Sequence, residues 1–237
     1  MRRAFFFARP TVGAKDGAMT QELWSAVDGY IDAMVVGGDE SLRGALVASA
    51  AAGLPPIAVS PSQGKLLHIL ARMIGARRIL ELGTLAGYSA IWLARALGAE
   101  GSVVTVESDA KHAEVARGNF ARAGLAGRID VRVGKALDVL PTLAKGEPFD
   151  LVFIDADKAN IPAYFAWSLD HTRRGGVIVV DNVVREGAVI EAESTDASVR
   201  GVRAFMEMAK VEPRVCATAI QTVGSKGYDG FAIVLVL

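Results

Sequence analysis

The segments Phe153-Ile154-Asp155-Ala156-Asp157-Lys158 and Val179-Val180-Asp181-Asn182 each end an apolar run in side chains that carry oxygen or charge. If both runs are strands of one parallel sheet, their carboxyl ends open into a shared crevice, where such sheets bind ligands. Asp155, Asp181 and Asn182 would then offer three hard oxygen donors. That set suits magnesium, whereas zinc favours His or Cys. Lys158, three residues past Asp155, could take a proton if burial and a nearby cation favour its neutral form. Such a group serves a hydroxyl that must lose its proton before it attacks, and a phenol, with a pKa of about 10, is such a hydroxyl. Chelation of both oxygens of an aromatic diol would favour the phenolate and fix its aim. Asp157 either assists a cofactor or caps the helix that follows.

A second constellation lies upstream. Ile79-Leu80-Glu81-Leu82-Gly83-Thr84-Leu85-Ala86-Gly87-Tyr88-Ser89 reads as a strand, a glycine-containing turn and a helix start, which brings a ligand close to backbone amides. The turn has Gly83 and Gly87 where a dinucleotide site would have Gly-x-Gly-x-x-Gly, so no pyrophosphate site is evident. Glu81 would repel phosphate but attract an ammonium group directly or through water. Glu107 ends the next strand, where a carboxylate can accept from two ribose hydroxyls. An amine at one end and a ribose at the other suggest S-adenosylmethionine (AdoMet). The reaction would be an in-line methyl displacement, with the reactivity supplied by the cofactor. Positioning could contribute at most about 7 to 11 kcal/mol.

These residues need a scaffold that sets strand ends side by side. Short β-rich runs at Arg78 to Leu82, Ser102 to Glu107, Ile129 to Val133, Phe149 to Asp155 and Gly176 to Asp181 alternate with helical segments. This pattern predicts a parallel sheet covered by helices on both faces, an α/β Rossmann-like fold. Ala217 to Val223 and Phe231 to Leu237 are joined by too short a loop for a crossover helix, so they should pair antiparallel. Residues 20 to 52 read as two helices, the first with Leu23, Val27, Tyr30, Ile31 and Met34 on one face. Ser60-Pro61-Ser62-Gln63 has a capping-box pattern that starts a helix running to about Ile74, with Leu66, Leu67, Leu70 and Met73 as its apolar face. Ser194-Thr195-Asp196 reads as the start of another, before Val199 to Met208.

Composition limits the partners. The 26 basic and 26 acidic residues cancel, which removes the electrostatic argument for nucleic acid or an anionic membrane. No apolar run approaches the roughly 18 residues of a membrane span. Cys216 is the single cysteine among the 237 residues. An intramolecular disulfide is thereby excluded, a reducing cytoplasmic setting is implied, and Cys216 itself is expected to fill core. The apolar part of Met1 to Pro10 is shorter than the roughly 7 to 15 residues of a signal-peptide core. Residues 1–19 are read as a tail or packing arm, 20–56 as a helical extension and 57–237 as the α/β core of a single domain.

With these motifs assembled, the chain resembles the cation-dependent class I O-methyltransferases, the group that includes caffeoyl-CoA and catechol O-methyltransferases. The likeness runs from about Trp24 to the C-terminus. It rests on Ser60-Pro61-Ser62-Gln63-Gly64, the stretch from Leu80 to Ser89, Ile154 to Lys158, and Gly175 to Asn182. It implies a seven-stranded sheet with a reversed last strand, a homodimer, and AdoMet contacts from Glu81, Gly83, Thr84, Ser89, Glu107 and Asp155. Val59 and Ala136 would line that site partly through backbone atoms. It also implies metal ligation by Asp155, Asp181 and Asn182, and Lys158 as base. Four departures stand out: Glu107 replaces an aspartate common in relatives, Val59 a threonine frequent in plant members, and Glu186 an asparagine that binds substrate there. The Gly224 to Gly230 segment reads as a longer loop than the usual Gly-Asp-Gly turn.

Other residues read as structural. His68, His112 and His171 lack metal-ligand spacing, and Tyr164-Phe165-Ala166-Trp167 suits helix packing. Arg185 and Glu186 either reach the substrate or lie in a solvated loop. Two other functions fit the same fold: a nicotinamide-dependent oxidoreductase and a non-catalytic AdoMet-binding protein.

Overall fold

The computed structural model describes residues 20–237, so the expected tail at 1–19 lies outside the described residues. Five β-rich segments form β1 (Arg78–Leu82), β2 (Ser102–Glu107), β3 (Ile129–Val133), β4 (Phe149–Ile154) and β5 (Thr172–Asp181). A hairpin of β6 (Val215–Gly224) and β7 (Gly227–Val236) completes a sheet of seven strands among the described residues, in the order β3-β2-β1-β4-β5-β7-β6. The pairs among β1 to β5 are parallel, and β7 runs antiparallel to both β5 and β6. The chain leaves β1 toward β2 on one side and returns to pair β4 on the other. That reversal makes the carboxyl ends of β1 and β4 the switch point where α/β sheets bind ligands.

The helices are α1 (Gln21–Ile31), α2 (Glu40–Ala51), α3 (Pro61–Met73), α4 (Tyr88–Ala96), α5 (Ala110–Arg122), α6 (Ala136–Leu143), α7 (Ile161–His171) and α8 (Ala197–Val211). One core lies between the sheet and α2 to α5, with Leu67, Ile79, Ile91, Leu93 and Phe153 fully buried. The other joins α6 to α8 to the opposite face through Leu80, Val152, Phe165 and Phe205. Ser60 caps α3 by accepting from Gln63 N at 3.2 Å, with Pro61 in the first turn, and Asp196 caps α8.

Several expectations need correction. β4 ends at Ile154, because Asp155 N makes the last bond to Leu82 O at 2.8 Å and the chain then turns away. β5 starts at Thr172, four residues earlier than read, since its polar start at Arg173 and Arg174 belongs to the exposed base of the sheet. The Gly224 to Gly230 segment is not a long loop. The ladder continues to the Gly224–Gly227 pair, leaving only Ser225 and Lys226 as the turn. Cys216 is exposed rather than core, because β6 is an edge strand with little packed over it. Met73 is 76% exposed, since Gly64, Leu67 and Ala71 form the buried stripe of α3. The apolar face read for α1 likewise contains no buried residue.

Candidate functional site

Strand register builds the site. Leu82 pairs with Val106 on one side and Ile154 on the other, and Ile154 pairs with Val180. The next residue on each strand therefore falls in one row across β2, β1, β4 and β5: Glu107, Gly83, Asp155, Asp181. With neighbouring strands about 4.8 Å apart, the row is a compact line of backbone carrying three carboxylates. It floors a cleft of about 1120 Å³, large compared with the roughly 300–1,000 Å³ of single-ligand pockets.

Val59, Gly83, Thr84, Ser89, Glu107 and Ala136 line this cleft, and so do Asp155, Lys158, Asp181 and Asn182. Glu81 is the one candidate that does not. Its side chain points from the middle of β1 into the core and is wholly buried. Oε2 accepts from Thr105 Oγ1 at 2.6 Å, Thr105 Oγ1 lies 2.6 Å from Thr84 Oγ1, and Oε1 has no hydrogen-bond partner. Burial pushes the Glu81 carboxyl up to about 8, only partly offset by the hydroxyls of Ser89 and Thr105. A buried acid with an orphaned oxygen under a cleft wall fits a cationic ligand that reaches it through Thr84, Ser89 or water.

Glu107 is held in place by backbone. Its Oε2 accepts from Leu85 N at 2.8 Å and Thr84 N at 3.2 Å, and Oε1 accepts from Asp109 N at 2.9 Å. Oε1, with a single amide on it, keeps an acceptor site for a ribose hydroxyl, whereas Oε2 already accepts two amides. Gly83 has φ +98°, and an added Cβ would stand 2.2 Å from the carbonyl oxygen of Asp155. Only glycine allows the turn after β1 to lie against the turn after β4.

On the other side, Lys158 Nζ donates to Asp155 Oδ1 at 2.7 Å. Burial raises Asp155 despite the charge of Lys158. Asp181 is pushed up to about 7 by burial and, next, by the charge of Asp155. Two recessed carboxylates, one of them raised by the charge of the other, suit a cation between them. Among the described residues no three His, Cys, Asp or Glu side chains converge to hold a metal ion. The expected set has two such groups, and its third member is the amide of Asn182.

Several cleft residues carried no functional signal in the sequence. Gln63 shows there only as part of a helix cap, yet it lines the cleft beside Asp181 and helps to hold that carboxyl down. His112 stands 3.7 Å from Glu107 and lines the cleft, as do Lys135, Tyr164 and Lys226. Tyr164 and Phe165 pack into the core, in line with the packing role, and the Tyr164 hydroxyl donates to Asp157. Asp157 also accepts from Asn160 Nδ2, so its side chain satisfies neighbours rather than backbone amides of the helix. His68 and His171 accompany Trp92 and Trp167, away from the cleft. Arg185 and Glu186 do reach the cleft wall.

Comparison with known proteins agrees with this arrangement. A family described as O-methyltransferase matches residues 39–235. A catechol O-methyltransferase of Mycobacterium tuberculosis is 59% identical over 210 residues, covering 89% of this chain and 94% of the relative. The crystal structure of an O-methyltransferase from Bacillus cereus in complex with SAH superposes with a TM-score of 0.91 at 54% identity, covering 92% of this chain and all of that one. TomG, an O-methyltransferase of Streptomyces achromogenes involved in tomaymycin synthesis and solved with SAM, gives 0.89 at 52% identity, covering 92% and 99%. Nothing in the turn after β1 or in these relatives favours the nicotinamide reading. The chain belongs to the O-methyltransferase family.

Proposed function

We propose that this enzyme transfers the methyl group of AdoMet to one hydroxyl of a catechol-like or caffeoyl-like aromatic diol, with a divalent cation, magnesium first among candidates, at Asp155, Asp181 and Asn182. The observation that carries the reading is the row Glu107, Gly83, Asp155, Asp181 along one cleft floor. It sets cofactor-type groups beside metal-type groups within a single space. The catechol O-methyltransferase named above supports the acceptor class, and the structures solved with SAM and SAH support the cofactor.

In this proposal AdoMet supplies the activated methyl group, and the cation supplies charge that favours the acceptor oxyanion. The remaining work falls to the protein. Glu107, fixed by three backbone amides, takes the ribose hydroxyls, and Gly83 lets the cofactor lie against backbone. Val59 and Ala136 wall the cofactor, while Thr84 and Ser89 connect its amine to Glu81. Asp155 and Asp181 would hold the cation at the ends of β4 and β5, with Asn182 as the neutral third donor, and the positive charge held there would attract the acceptor oxygens. Lys158 gives one ammonium proton to solvent, and its neutral Nζ, freed from Asp155 Oδ1, then takes the hydroxyl proton. Recessing these groups keeps water from competing for the methyl.

Two further parts belong to the proposal. Residues 20–56 and 57–237 act as one domain, and two copies of the chain form a homodimer. The enzyme works in the cytoplasm, a reading supported by its single cysteine, and no described helix is long and apolar enough to cross a membrane. The test is methyl transfer from labelled AdoMet to catechol and caffeic-type acceptors. Transfer that stops with EDTA and returns with magnesium is expected. Undiminished transfer after exhaustive chelation would remove the cation, and AdoMet binding with no transfer to any diol would favour a non-catalytic protein.

A further inference from the structure

We propose that Asp229, on β7, is a positioning residue for the acceptor half of the site, holding the loop after β5 in a conformation that the loop does not favour by itself. The inference rests on the methyltransferase reading, since it is the acceptor side of that cleft that the loop borders.

The loop is strained. Asn182, Arg185 and Glu186 have φ of 56°, 55° and 55°, left-handed values that residues with a Cβ adopt at an energetic cost. All three line the cleft. Strain at several residues of one short loop persists only where the surroundings over-determine it.

Asp229 provides that determination from a distant part of the chain. Its Oδ1 accepts the backbone N–H of Val184 at 3.0 Å, of Arg185 at 3.0 Å and of Gly230 at 2.9 Å. Val183 N adds a bond to Gly230 O at 3.0 Å. One charged oxygen thus gathers two amides of the loop and one of its own strand, and charge-assisted bonds of this kind are the stronger ones. The approach is close enough to need Gly230, whose added Cβ would stand 2.3 Å from Ile220 O and 2.7 Å from Val184 Cγ2. The Arg185 side chain offers little anchorage of its own. Its Nε is buried without a partner, and its Nη1 is 3.9 Å from Asp229 Oδ2. The direction in which Asn182, Arg185 and Glu186 face the cleft therefore depends on the backbone clamp.

The test compares Asp229→Ala, which removes the clamp, with Asp229→Asn, which keeps an acceptor oxygen at Oδ1. For D229A, kcat/KM toward catechol should fall about 100-fold, the size of effect that a displacement of about 1 Å produces. AdoMet affinity, measured by calorimetry, should stay within about twofold, because the cofactor residues lie on other strands. D229N should keep most of the activity, within about threefold of wild type, since the bonds lost in D229A are retained. Wild-type kinetics in D229A would overturn the clamp, as would AdoMet affinity falling in step with activity, or D229N failing as D229A does. Should D229A not fold, hydrogen exchange on wild type and D229N decides instead. Slow exchange at Val184 and Arg185 in both supports the clamp, and fast exchange in wild type overturns it. Absence of diol methylation by wild type would count against the proposed reaction, while the exchange readout would still test the clamp.

Discussion

Glu81 shows how a single residue can be right in type and different in placement. The sequence puts an acid beside the glycine turn, but period-2 alternation in β1 turns its side chain into the core, where it meets Thr105 rather than the open cleft. The ligand-free protein then carries a carboxyl raised to about 8. A folded-state value above the unfolded one means that Glu81 costs stability as pH rises from about 4.5 through about 8. Glu81→Gln removes that cost. Its melting temperature should exceed wild type at pH 8.5 by more than at pH 5, and an equal difference at both would refute the assignment. AdoMet binding at pH 7 should release nearly one proton from wild type and almost none from E81Q, read by calorimetry in buffers of differing ionisation heat. Affinity should drop about tenfold or more in E81Q, at 1.4 kcal/mol per tenfold. Lys158 and Asp181 give the complementary result. Lys158→Ala should lower kcat by about 10²- to 10⁴-fold, and Asp181→Ala should abolish turnover, both with AdoMet binding largely kept. Normal turnover in either variant would take that residue out of the site.

At the scale of elements, what was legible followed from hydrophobic pattern. β1, β2 and β3 have the bounds read from their β-rich runs: β1 and β2 are almost wholly buried, while β3, at the sheet edge, alternates apolar Ile129, Val131 and Val133 with polar Asp130 and Arg132. The hairpin was less legible. Glycine, serine and aspartate between 224 and 230 have loop chemistry, yet β6 and β7 are paired there through backbone bonds that composition does not report. The clamp by Asp229 was hidden for a related reason, since it joins residues more than 40 positions apart. Register, too, is a tertiary property, and it alone aligned Gly83 with Asp155. That alignment makes a testable demand on one glycine. Gly83→Ala forces a Cβ to 2.2 Å from Asp155 O at φ +98°. Backbone strain alone should cost about 1–3 kcal/mol, with melting lowered by about 2–4 °C per kcal/mol in a chain of this size. AdoMet binding should weaken with it. Gly98→Ala, with open space around its Cβ, serves as the control, and equal behaviour of the two variants would show that the close approach is unimportant.

At the scale of the whole molecule, the described residues leave the β6 edge of the sheet and the neighbouring helix α1 exposed. Residues of β6 are almost all exposed, with Ile220 47% and Val223 43% accessible, and on the neighbouring α1 Val27 and Tyr30 are 47% and 51% accessible. Ile220 and Val223 project to opposite faces of β6, so they flank the exposed strand edge, and contact with another surface along that edge would cover both. A second copy of the chain is the occupant proposed above. This face is also coupled to the cleft. Gln21 Nε2 donates to Gly224 O at 2.8 Å and Ser225 N to Asp28 Oδ2 at 2.7 Å, tying α1 to the β6–β7 turn. Lys226 Nζ in the same turn donates to Pro56 O at 2.9 Å, and both residues line the cleft. Pairing of two chains through α1 and β6 would therefore steady the rim of the acceptor site. Ile220→Asp with Val223→Asp would place two charges in that contact, which is costly in a buried interface. Sedimentation of wild type at micromolar concentration should give twice the mass of one chain, and the double variant should sediment as a monomer. The monomer should bind AdoMet as wild type does but show a raised KM for the diol. A monomeric wild type would remove the dimer, and a dimeric double variant would move the contact to another face.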